Sequence, residues 1–114
     1  MSGRGVANEA ALVKQIQSRI KKEFPAAWVV KVVGNPYQVS GIPDLLVLHE
    51  GRLYAFEVKH QKIRESEEHA RARASEIQLR TLEKIRKAGG VAAVVLSSEE
   101  VLKYMEAVSY THLR

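Results

Sequence analysis

The sequence predicts an α/β domain: a mixed β-sheet flanked by helices, with elements in the order α-β-β-β-α-β-α. Three observations carry this. Two apolar segments with period-two character, "DLLVLH" and "RLYAFEVK", flank Glu50-Gly51, where a tight turn makes them an antiparallel hairpin. A helical segment after the hairpin leads into a short apolar run, "VAAVVL", which reads as a buried strand reached by a crossover. The chain opens with an amphipathic helix and closes with another.

Asn8 is a natural N-cap for the first helix, which runs to about Phe24, before Pro25. Leu12, Val13, Ile16, Ile20 and Phe24 form its apolar stripe. "AWVVKVVG" reads as a β-branched strand closed by a Gly-Asn-Pro turn, and the hairpin spans about Asp44 to Lys59. Residues 60–74, "HQKIRESEEHARARA", are charged throughout and show no apolar period, so an exposed loop, or a loop running into the next helix, is expected. "SEIQ" at 75–78 has the form of a capping box and should start the next long helix. Gly89-Gly90 ends that helix. Ser97 and Glu100 suggest a second box, opening a final helix that runs to about Ala107.

The chain of 114 residues suits one domain, and its 46% hydrophobic and 27% charged residues are those of a globular protein. It holds no cysteine, which excludes disulfides, thiolate metal sites and a cysteine nucleophile. The opening "MSGRGVANEA" lacks the apolar core of a signal peptide, and no apolar run is long enough to span a bilayer. A cytoplasmic location is therefore expected. A net charge of +5 favours a polyanionic partner, nucleic acid first. The end of the chain, "VSYTHLR", shows no clear periodicity and resembles translated adapter read-through, so 108–114 is read as a non-native tail and His112 is not counted as a ligand.

A turn at Glu50-Gly51 sets Leu48 opposite Leu53, Leu46 opposite Ala55 and Asp44 opposite Glu57. Asp44, Glu57 and Lys59 then project to one face of the sheet. Directly opposed carboxylates repel, and a hard divalent cation relieves the conflict by taking oxygens from both. Salt bridges from Lys59 to both acids are the plainer alternative. Glu9 falls at the centre of the first helix's apolar stripe, where an inward carboxylate needs a partner, although an acid in the first turn also suits the helix dipole. Gln78 lies on its own helix's apolar stripe with Thr81, Leu82 and Ile85, and is also the glutamine of the capping box.

Pro43-Asp44, twelve intervening residues and Glu57-Val58-Lys59 together resemble the motif of the PD-(D/E)xK nuclease superfamily. The order and spacing of "PYQVSGIPDLLVL", "GRLYAFEVK", "EIQLRTLEKIRKAGGVAAVVLS" and the closing helix are similar to the VRR-NUC family, in particular its small stand-alone phage and bacterial members. The likeness runs from Asn8 to about Ala107 and treats 1–114 as a single nuclease domain. It implies a restriction-endonuclease-like fold and Mg²⁺- or Mn²⁺-dependent cleavage of DNA. It assigns metal ligation to Asp44, Glu57 and the Val58 carbonyl, with Glu9 as the first-helix acid. Lys59 matches the catalytic lysine and Gln78 the glutamine of the following helix. The stand-alone members resemble Holliday-junction resolvases that work as homodimers, which makes a four-way junction the expected substrate. The segment 60–74 departs from the family by being longer and more charged. Tyr37 and Gln38 before the hairpin, and Arg71, Arg73 and Arg80 after it, are the candidate DNA contacts, with a simple turn and solvated surface charges as the plainer alternatives.

Overall fold

The computed structural model describes residues 6–34 and 40–112, the last five as backbone only. The elements are α1 (Glu9–Glu23), β1 (Trp28–Lys31), β2 (Leu45–His49), β3 (Arg52–Val58), α2 (Glu67–Ala72), α3 (Glu76–Lys87), β4 (Val91–Val95) and α4 (Ser98–His112). They build one four-stranded sheet in the order β1-β2-β3-β4. β2 runs antiparallel to both β1 and β3, whereas β4 lies parallel to β3, as a helical crossover requires.

The period of two sorts the strands between two layers. Leu45, Val47, Tyr54, Phe56 and Val58 point to the face covered by α1 and α4, where they meet Leu12, Ile16, Ile20, Val101 and Met105 in the main core. On the other face Ala55 and Ala92 pack against Leu82 of α3, with Leu46, Ile85 and Val94 partly buried around them. Because β3 is covered on both sides, it is buried from Tyr54 through Val58. No helix among the described residues is long and apolar enough to cross a membrane.

Local chemistry sets the helix ends. The Asn8 side chain accepts from the Ala11 N–H, and Ser75 and Gln78 close the expected capping box. At the far end of α3, Gly89 at φ +101° lets its N–H reach Arg86 and that of Gly90 reach Ile85, a Schellman stop. The second expected box is only half formed. Ser97 Oγ accepts from the Glu100 N–H, but Glu100 Oε1 takes the Leu96 N–H while its carboxylate grips Arg71.

Two expectations are corrected. Within 60–74 the chain forms the short helix α2, capped by Ser66 and carrying Glu67 and Glu68 in its first turn, with Gln61, Glu65, Ala70 and Ala74 buried. Its anchoring is mostly polar, so the segment shows no apolar period. The final helix also continues past Ala107 to His112, since no glycine or proline interrupts it there.

Candidate active site

The hairpin turn places the site. Glu50 and Gly51 have φ of +51° and +75°, the left-handed pair of a two-residue primed turn, which matches strand twist and locks the register. Leu48 pairs with Leu53 and Leu46 with Ala55, as the turn predicts. Extending that register by two residues brings Asp44 beside Glu57, on the face occupied by α3. Ahead of it, buried Pro43 and Gly41 at φ +84° lead the chain in. A Cβ on Gly41 would lie 2.5 Å from Ile77 Cγ2 of α3, so only glycine allows this approach.

Asp44 Oδ2 accepts the Val58 N–H at 2.7 Å, and the Asp44 carbonyl accepts from the Val32 N–H at 2.8 Å. The acid is thereby tied to strands on both sides. Glu57 is 2% exposed. Lys59 Nζ lies 3.4 Å from its Oε2, so the salt bridge of the plainer reading is present on one acid. The other oxygen, Oε1, is buried and takes no N–H or hydroxyl donor among the described residues. Burial first, then the neighbouring Asp44 charge, pushes the Glu57 carboxyl up to about 7, against the opposing pull of Lys59.

This donor set fits a hard divalent cation. Two carboxylates meet at adjoining strand ends, one oriented by a backbone N–H and the other holding a buried oxygen with no N–H or hydroxyl donor among the described residues. Such ions are commonly held by one or two carboxylates while water and substrate phosphate fill the remaining positions.

The other candidates are distributed differently. Among the described residues no three His, Cys, Asp or Glu side chains form a metal cluster. Glu9, the expected first-helix acid, has its Oε1 accepting the His60 N–H at 3.2 Å and lying 3.7 Å from Arg73. Helical phase gave its direction correctly, but the residue it meets is the one after Lys59. Gln78 Oε1 accepts from the Ser75 N–H at 2.8 Å, the capping role. Tyr37 and Gln38 lie outside the described residues.

The arginines after the hairpin have partners within the fold. Arg71 donates to the Val94 carbonyl at 2.9 Å and makes a forked pair with Glu100. Arg86 donates to Ala92 in the same way at 2.8 Å. Both serve the outer edge of β4, satisfying carbonyls that have no strand beside them among the described residues. Arg73 is held by Glu65. Arg71 and Arg73 thus have internal partners while staying partly exposed, and Arg80 is exposed and, among the described residues, pairs with Glu76 of its own helix. An open groove of about 690 Å³ lies beside the β4 edge, lined by Arg71, Arg86, Glu100 and Tyr104 among others, and includes neither Asp44 nor Glu57. A polymer lying across the surface needs no closed pocket at its cleavage point.

The mixed four-stranded sheet with its flanking helices is a restriction-endonuclease-like fold. Among solved structures the chain is similar to one titled "VRR_NUC domain", with 29% identity and a TM-score of 0.53, covering 93% of this chain and 97% of the other. The resemblance to the VRR-NUC family thus holds in three dimensions as well as along the sequence. No family model and no curated protein matches the chain.

Proposed function

We propose that the domain is a metal-dependent, structure-specific DNA endonuclease acting in the cytoplasm, and that its substrate is a four-way junction cut by a homodimer. The observation that carries the chemistry is the apposition of Asp44 and Glu57, with Glu57 Oε1 buried and free of N–H or hydroxyl donors among the described residues. Symmetric cutting of a junction calls for two such sites, hence two copies. The net charge of +5 suits a polyanion.

Asp44, Glu57 and the Val58 carbonyl would hold Mg²⁺ or Mn²⁺. The bound ion supplies Lewis acidity toward a phosphoryl oxygen and lowers the pKa of water. The Val58 N–H fixes the Asp44 carboxylate in orientation, so little reorganisation is needed when substrate arrives. Lys59, on the same face as Glu57, sets a positive charge against the negative charge that builds on the phosphoryl oxygens during in-line attack by water. Burial of Glu57 lowers the local dielectric and strengthens both effects.

The test incubates the protein with labelled four-way junction, flap and linear duplex DNA in Mg²⁺, Mn²⁺ or EDTA, beside Lys59→Ala. Symmetric, metal-dependent junction cuts that vanish in the variant support the whole proposal. Cuts confined to flaps or single strands keep the chemistry and remove the junction. Binding without cleavage in either metal would leave a nucleic-acid-binding module of nuclease fold.

A further inference from the structure

The segment 60–74 sets this chain apart from the family pattern, and the structure shows what its charges hold. Strand β3 ends at Val58, and the Lys59 N–H still reaches the Val95 carbonyl of β4 at 3.0 Å. The next residue, His60, has left the sheet. Its two backbone polar groups need partners from elsewhere, and side chains supply both. Glu9, from the first turn of α1, accepts the His60 N–H at 3.2 Å. Arg73, just past α2, donates through Nη2 to the His60 carbonyl.

Arg73 is itself fixed. Its Nε donates to Glu65 Oε2 at 2.8 Å and its Nη2 to Glu65 Oε1 at 3.1 Å, a forked pair of well-defined geometry. Glu65 is buried, and its carboxylate also takes the Lys62 N–H at 3.0 Å. Arg73 Nη1 lies 3.7 Å from Glu9 Oε1, so the two residues that hold His60 also hold each other. The His60 ring adds a third tie, Nε2 lying 2.6 Å from the Val6 carbonyl.

We infer that the Glu65–Arg73 pair, with Glu9, is a clamp on the backbone at His60 that positions Lys59 against Glu57. Arg73 and Glu65 are positioning residues, because they reach the site only through the main chain. Lys59 is held on its N-terminal side by the sheet and on its C-terminal side by this clamp. Its backbone is therefore fixed at both ends while the side chain extends to Glu57. The charged segment is then the strap that completes the site, where sequence alone suggested an exposed, solvated loop.

The inference rests on the nuclease reading for its kinetic readout, and hydrogen exchange provides an independent one. In Arg73→Ala, kcat on four-way junction DNA with Mg²⁺ should fall roughly 10- to 100-fold, as expected when a reacting group is misplaced by a fraction of an ångström to about 1 Å. KM should stay within about twofold, since no substrate contact is removed. Arg73→Lys keeps the charge but loses the fork, so its kcat should stay low as well. The Lys59 and His60 amides should exchange faster in both variants, while Tyr54 to Phe56 in mid-strand stay protected.

A phosphate-contact role predicts the reverse: KM rises in Arg73→Ala and is largely restored by lysine. That pattern overturns the clamp. So does loss of protection along the whole of β3, or unchanged kcat with unchanged exchange. Should the wild type cleave no DNA, the nuclease reading fails and the exchange data alone decide the clamp, faster local exchange supporting it and unaltered exchange refuting it. If Arg73→Ala does not fold, Arg73→Lys carries the same comparison.

Discussion

Replacing Glu57 with glutamine should stabilise the metal-free protein while destroying its proposed chemistry. Glu57 is buried against Asp44, and its carboxyl is raised from 4.5 to about 7. A raised carboxyl favours the neutral form in the folded state. The folded protein therefore carries no penalty below the ordinary value, an increasing one as pH rises from 4.5 to about 7, and the full penalty above that. At about 1.4 kcal/mol for each pKa unit, the full penalty is roughly 3 kcal/mol. Glutamine has nearly the same shape, bears no charge, and can donate an amide N–H to Asp44. In EDTA at pH 8, Glu57→Gln should melt on the order of 10 °C above the wild type, and the gap should close near pH 4. Added Mg²⁺ should raise the wild-type melting temperature, through binding to the folded state, and move the variant much less. Calorimetry or fluorescence melts across pH, with and without metal, measure all of this. Equal stability of the two proteins at pH 8, or a gap that persists undiminished at pH 4, would refute the assignment of strain to the Glu57 charge.

Other consequences can be measured on the same protein. Hydrogen bonds from Arg73 and the Lys62 N–H hold the Glu65 carboxyl down to about 2, from 4.5. Its stabilising contribution is full above the ordinary value and is lost as pH falls through the window from about 4.5 to about 2; urea melts should show Glu65→Gln less acid-sensitive across that range. Gly41→Ala should cost more than about 1 kcal/mol in a denaturant melt, because φ +84° disfavours a side chain and the new Cβ would lie 2.5 Å from Ile77. Leu82→Ala should cost roughly 2–5 kcal/mol by the same assay, since Leu82 is the buried anchor of α3 on the site face of the sheet.

The hairpin and its register were legible because two independent constraints agree there. A turn of two residues fixes which positions pair, and alternation of side chains fixes which face each takes. The capping box at Ser75 and the Schellman stop at Gly89-Gly90 were legible for a similar reason: each is local, made by residues within a few positions of one another. What was illegible depends on long-range polar partners. Glu9 showed its direction through helical phase, but phase does not reveal that His60 and Arg73 would be waiting there. Arg71 and Arg73 lie in a charge run that reads as solvated, although one serves the edge of β4 and the other the chain after Lys59. The short helix α2 had a usable signal, Ser66 followed by Glu67 and Glu68, hidden by the expectation that a helix must show an apolar stripe.

The spacing of the motif itself follows from the sheet. An acid and a lysine can share a strand face only at even separation, and two is the smallest. The residue between them must then point to the opposite face. In β3 that residue is Val58, fully buried in the main core, where it anchors the strand beneath α1 and α4. Its N–H meanwhile fixes Asp44 on the neighbouring strand. Polar or charged groups at this middle position would put an unpartnered group into the apolar layer and loosen the strand that carries both site residues. The acid–apolar–lysine order is thus one in which a single strand can serve a core on one face and an ionic site on the other. The raised Glu57 carboxyl is the cost of keeping that second face dry.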